Sequence, residues 1–175
     1  GGIAVTRAAK ITVAEPAQDA WVERIPSAEE KPVDHQFYAR DDNGQGTLHY
    51  RGALTESADS VFLRLYTGDK LLETKRQKIG ADNKYALSVN LQAGLIAYRT
   101  EFGIRRGATE TVLEKANDLV CGDVFVIQGQ SNAEAWTDQR VVHPYRSPWL
   151  RSFGTPSTNK DRARDAVWGN ALSFN

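Results

Sequence analysis

The sequence predicts a mixed architecture, an antiparallel β-sandwich over residues 1–115 followed by the opening of an α/β domain over residues 116–175. Three observations predict it. Short alternating segments separated by turn clusters fill the first two thirds of the chain. No long helical periodicity interrupts them. From Val124 to Ile127 a continuous apolar run ends abruptly in a tight polar turn, the way an α/β unit begins.

The strands are read in order. Thr47-Leu48-His49-Tyr50-Arg51 and Ser60 to Tyr66 come first, and in the latter Val61, Leu63 and Leu65 share one face while Arg64 and Tyr66 take the other. Lys84 to Leu91 and Ile96 to Ile104 follow, and Thr111 to Asp118 reads as a closing strand and connector. Between them stand the turn clusters Asp41-Asp42-Asn43-Gly44, Thr67-Gly68-Asp69-Lys70, Gly80-Ala81-Asp82-Asn83 and Gln92-Ala93-Gly94. Strands of this length and spacing suit a sandwich of roughly 100 residues, immunoglobulin-like or jelly-roll-like. The domain boundary is expected near residues 112–120. Val124-Phe125-Val126-Ile127 then reads as a parallel strand buried on both faces. It runs into Gly129-Gln130-Ser131-Asn132 and a helix-compatible Ala133-Glu134-Ala135-Trp136. Trp149 to Phe153, ending at Gly154, is a second candidate strand.

Composition narrows the partners. Lys+Arg and Asp+Glu both total 22, so the formal net charge is zero. That balance offers no electrostatic reason for a nucleic-acid or anionic-membrane partner. No apolar run approaches the roughly 20 residues that span a bilayer. The single cysteine, Cys121, excludes an internal disulfide and sits in apolar company that suits a buried structural thiol. One cysteine and three scattered histidines, His35, His49 and His143, assemble no metal site, and no cofactor is expected. Gly1-Gly2-Ile3-Ala4-Val5 shows no signal peptide and reads as a trimmed or engineered start.

The chemistry is expected at the end of the apolar run. Ligands collect beyond the carboxyl ends of parallel strands. A serine on a tight turn there exposes its hydroxyl, and its backbone N–H, near a helix N-terminus, faces developing negative charge. Ser131 sits at such a position. Gly129 leaves room for a sharp turn and a close substrate. Ala133 stands where the nucleophile elbow of α/β-hydrolases has its second glycine, so that motif is absent.

The block from Gly122 to Glu134, Gly-Asp-Val-Phe-Val-Ile-Gln-Gly-Gln-Ser-Asn-Ala-Glu, resembles the first catalytic block of SGNH hydrolases related to sialate O-acetylesterase. The specific resemblance covers about 15 residues; a β-sandwich before the block is common in the family. Many relatives have Met and then Trp after the asparagine, whereas here Ala133 follows Asn132 and Trp136 comes slightly later. The resemblance implies a flavodoxin-like α/β fold and O-deacetylation of a sugar by a secreted or periplasmic enzyme. Ser131 would attack the ester carbonyl, a histidine would take its proton, and an aspartate would orient that histidine. The oxyanion would rest on the Ser131 N–H, an asparagine side chain and a glycine N–H, for which Gly154 is the match.

No aspartate is followed three positions later by a histidine, so the family's late Asp-x-x-His block has no counterpart. The chain is accordingly expected to be the N-terminal part of a longer enzyme, inactive alone, whose partners are an acetylated carbohydrate and the rest of its catalytic domain. The competing expectation is a non-catalytic carbohydrate-binding or scaffold module of such an enzyme. A lipid esterase or a transferase of the same family is a third. His143 reads as a surface-loop residue and His49 as a partly exposed strand residue. His35 lies in a polar entry segment and has no role assigned. Trp136, Tyr145, Trp149 and Trp168 could stack on a sugar, but core packing is the default expectation for each. Asp161 to Asp165 reads as a solvated charge run. The sequence leaves open whether Arg151 stands near the catalytic rim.

Overall fold

The computed structural model describes residues 24–126, 147–154 and 167–170. The elements are β1 (Phe37–Ala39), β2 (Gln45–Ala53), β3 (Ser60–Thr67), β4 (Lys70–Lys78), β5 (Lys84–Gln92), β6 (Gly94–Arg106), β7 (Thr109–Gly122), β8 (Arg151–Gly154) and β9 (Val167–Asn170). No helix occurs among the described residues.

Alternation along the chain decides which faces meet. In β5 every second side chain (Tyr85, Leu87, Val89, Leu91) is buried and the intervening ones face solvent. β2 pairs with it antiparallel, Thr47 opposite Asn90 and Tyr50 opposite Leu87, and contributes Leu48 and Tyr50 to the same face. The second sheet has the order β1-β7-β6-β3-β4 and is antiparallel except for β1, which runs parallel to β7. From it Val61, Leu63, Leu65, Tyr98, Phe102, Ile104, Ala116, Leu119 and Cys121 join the same core cluster. Two sheets facing each other across one apolar layer form a β-sandwich. The Phe102 ring joins them, stacked on Tyr50 at 4.9 Å between centroids and tilted against Tyr85 at 4.7 Å. Stacked and tilted contacts of this kind add to the burial of large rings.

The expected strands at 47–51, 60–66, 84–91, 96–104 and 111–118 all lie within these elements. The turns follow the expected chemistry. Asp41 Oδ1 accepts from the backbone N–H of Asn43 and Gln45, both at 2.9 Å, and Gly44 takes φ 75°. Phe62 departs from the one-face reading of β3. It lies on the opposite face from Val61 and Leu63 yet is only 1% exposed, covered by the Arg64 guanidinium 4.4 Å from its ring centroid.

β7 carries the sandwich sheet past residue 115, the boundary expected from the sequence, to Gly122. Its last turns are buried, Leu119 at 0% and Val120 at 2% exposure. The thiol of Cys121 is buried among them, and burial pushes its pKa up, as a structural cysteine requires. The chain beyond corrects the sequence reading. Val124, Phe125 and Val126 belong to no strand and are exposed, where a doubly buried parallel strand was expected. Such a strand needs neighbours on both edges and cover on both faces, and the described residues offer neither. Strand β8 has one partner among the described residues. It pairs antiparallel with β9, Phe153 opposite Trp168 and Gly154 opposite Val167.

Candidate functional site

Ser131 lies outside the described residues, five positions beyond Val126, as do Gly129, Asn132, Trp136, His143 and Tyr145. The chain leaves the sandwich at Gly122, where Arg40 Nε donates to Asp123 Oδ1 at 2.7 Å and Arg40 N donates to the Gly122 carbonyl at 2.9 Å. These bonds fix the exit of the segment that leads to the serine. Gly154, the candidate oxyanion glycine, is the last residue of β8. Ser131 falls within residues 127–146 and Gly154 follows them, so the placement of the one relative to the other lies outside the described residues.

What the described residues do assemble is a polar cluster where β7 meets the segment before β8. Opposite Thr100 stands Ala116 and opposite Tyr98 stands Leu119, so three steps along β7 face two along β6. The surplus residue is a β-bulge at Asn117–Asp118. Asp118 takes φ 54° there, in the left-handed region where aspartate is one of the few tolerated side chains. His35, at φ 64°, faces it from the segment before β1. His35 Nδ1–H donates to Asp118 Oδ2 at 2.7 Å, and Arg151 Nη2 donates to the same oxygen at 2.8 Å. Arg151 Nη2 also lies 3.4 Å from the Asp118 carbonyl oxygen and Arg151 Nη1 donates to the Pro148 carbonyl. Behind them Asp34 Oδ1 accepts from Asn117 N at 2.7 Å and Asn117 Nδ2 at 3.2 Å, while His35 N donates to the Asn117 carbonyl at 3.0 Å. The Arg151 side chain is fully buried, that of His35 half-exposed.

Sequence reasoning gave His35 no role and left Arg151 undecided. The available signal was the Asn117-Asp118 pair inside an otherwise β-rich run, since Asn and Asp are residues that bulges and left-handed positions accept. Reading His35 as its partner needed the fold, because 83 positions separate them.

A second feature is an open groove of about 610 Å³ beside the β2–β5 sheet, lined among others by Arg51, Gly52, Gln77, Asp82, Lys84 and Tyr85. Gly52 makes way for the Tyr85 hydroxyl, which a Cβ at 52 would meet at 2.8 Å. His49, expected to be partly exposed, is partly buried on β2, and burial lowers its pKa. Among the described residues no three His, Cys, Asp or Glu side chains converge as a metal site. Trp149 is partly buried, its backbone N–H bonded to Ser147 Oγ at 3.2 Å. No protein-family model, curated protein or solved structure matches this chain.

Proposed function

We propose that the chain is part of a carbohydrate O-acetylesterase with Ser131 as its nucleophile. One observation carries the reading: the Gly122–Glu134 block, which begins at the last residue of β7 and resembles the opening catalytic block of sialate O-acetylesterase-like SGNH hydrolases. A β-sandwich directly before that block agrees with the organisation common in the family. The chemistry is acyl transfer. Ser131 Oγ bonds to the acetyl carbonyl carbon as a histidine removes its proton. The oxyanion rests on the Ser131 N–H and, in this reading, on the Gly154 N–H. Collapse breaks the bond to the sugar oxygen, which takes the proton from the histidine, and water then releases acetate from the serine ester. An enzyme with this substrate works where glycans are met, outside the cytoplasm or in a periplasm.

The test is acetate release from an O-acetylated sugar by the natural gene product, with and without Ser131→Ala. A loss of about a thousandfold or more is expected, the usual cost of removing a nucleophile. Equal rates in the two proteins would overturn the assignment.

A second reading treats residues 24–122 as a scaffold or glycan-binding module. It is favoured by the bond from Arg151, on the far side of the serine block, to Asp118 on β7. Under that reading the 175-residue chain binds acetylated oligosaccharide in calorimetry whether or not Ser131 is present. Binding that is undetectable at millimolar ligand would remove it.

A further inference from the structure

We propose that Asp118 is an anchor that holds the segment after the serine block, residues 147–151, against the sandwich. The docking claim stands on the contacts alone; its consequence for catalysis rests on the esterase reading, because the anchored segment leads directly into β8 and Gly154.

Four independent observations meet at this carboxylate. A bulge interrupts β7 at Asn117–Asp118, and bulges re-aim side chains away from the regular ladder. Two residues in contact, His35 and Asp118, both hold left-handed backbone, a conformation that is costly for a non-glycine residue and persists where surrounding bonds enforce it. Those bonds are present: Asp34 clamps Asn117 from the side, and the His35 backbone N–H bonds the Asn117 carbonyl. Finally, the Arg151 side chain is fully buried and brings its positive charge to Asp118 Oδ2 at 2.8 Å.

The charges explain why aspartate serves here. A buried guanidinium needs an anion, since desolvating an unpaired charge is expensive. Asp118 supplies it from a rigid strand, and His35 Nδ1–H holds the shared oxygen from the other side. The second end of the same guanidinium donates to the Pro148 carbonyl, so one side chain ties the turn at Ser147–Leu150 to itself and to β7. Asparagine at 118 would keep the backbone geometry and lose the charge. Glycine would relieve the left-handed backbone and lose the carboxylate. The anchor therefore separates cleanly from the strain.

Hydrogen–deuterium exchange of the 175-residue chain tests this. Asp118→Asn and Asp118→Gly are each expected to speed exchange in a 147–154 peptide about tenfold or more while the β5 peptide, 84–92, keeps its protection. Arg151→Ala, which leaves β7 untouched, is expected to do the same. If exchange in 147–154 is unchanged by Arg151→Ala, or by Asp118→Gly in a chain whose β5 stays protected, the anchor is wrong. Ser131→Ala is expected to leave that exchange as it is, so the docking claim and the esterase reading fail by different results.

Discussion

Gly103 shows how little room a single side chain has in the outer sheet. A Cβ built there would stand 2.2 Å from the Thr111 carbonyl oxygen and 2.5 Å from the Phe62 ring. Neither neighbour can retreat, because one is strand backbone and the other is pinned under Arg64. Gly103→Ala is expected to destabilise by about 1–3 kcal/mol, the usual cost of overpacking, read as a lower urea midpoint at unchanged slope. An unchanged midpoint would mean that β6 and β7 lie further apart than described. Glu101 makes a second case on the same strand. Burial alone would raise its pKa, but hydrogen bonds from Arg99 Nη1 at 2.6 Å, from Lys115 and from the Tyr66 hydroxyl at 3.1 Å outweigh it and hold it below 4.5. A carboxylate depressed by folding stabilises the native state above its unfolded value and loses that contribution as pH falls through the folded one. Stability is therefore expected to drop below pH 4.5, and Glu101→Gln to make that acid limb shallower. Identical acid limbs in urea titrations of the two proteins would count against the pairing.

At the scale of the element, the edges of the sheets explain what sequence reading could see. Strand β5 was legible because its burial alternates without a break, and the tyrosine, leucines and valine that carry the alternation are good strand formers. Strand β4 was not. Lys70 to Lys78 holds four cations, and its side chains are exposed or half-exposed because it is the outer strand of its sheet. Charged edges of this kind discourage pairing with other chains and erase the alternation that marks a strand. One of its residues turns inward to the other sheet. Gln77 Oε1 accepts from Ala86 N at 2.8 Å and Gln77 Nε2 donates to the Lys84 carbonyl at 3.4 Å, so its carboxamide stands in for a neighbouring peptide group along β5. Gln77→Ala is expected to cost about 1 kcal/mol and to accelerate exchange of the Ala86 amide, whereas Gln77→Glu keeps the acceptor and spares that amide. Equal Ala86 exchange in all three proteins would show that water serves β5 as well as glutamine does.

For the whole molecule, the sandwich was written in periodicity, whereas Val124, Phe125 and Val126, expected to open a buried parallel strand, belong to no strand. Leu119, Val120 and Cys121 are apolar because they close the sandwich core, while Val124, Phe125 and Val126 are apolar and exposed. Composition does not tell these two groups apart; the packing, which ends with β7 at Gly122, does. The cluster at Asp118 escaped the sequence for the opposite reason, since its members come from positions 34, 35, 117, 118 and 151 and only the folded chain brings them together. The exposed apolar segment at 124–126 leads straight toward the serine block, which is where a catalytic domain would begin under the esterase reading. The functional proposal reduces to a property of one oxygen atom: Ser131 Oγ must be an activated nucleophile. The most direct measurement is reaction of the natural gene product with a fluorophosphonate, followed by peptide mass mapping. Stoichiometric phosphonylation of Ser131, with parallel loss of acetate release, is the expected result. A serine left unlabelled while acetate release continues would contradict it.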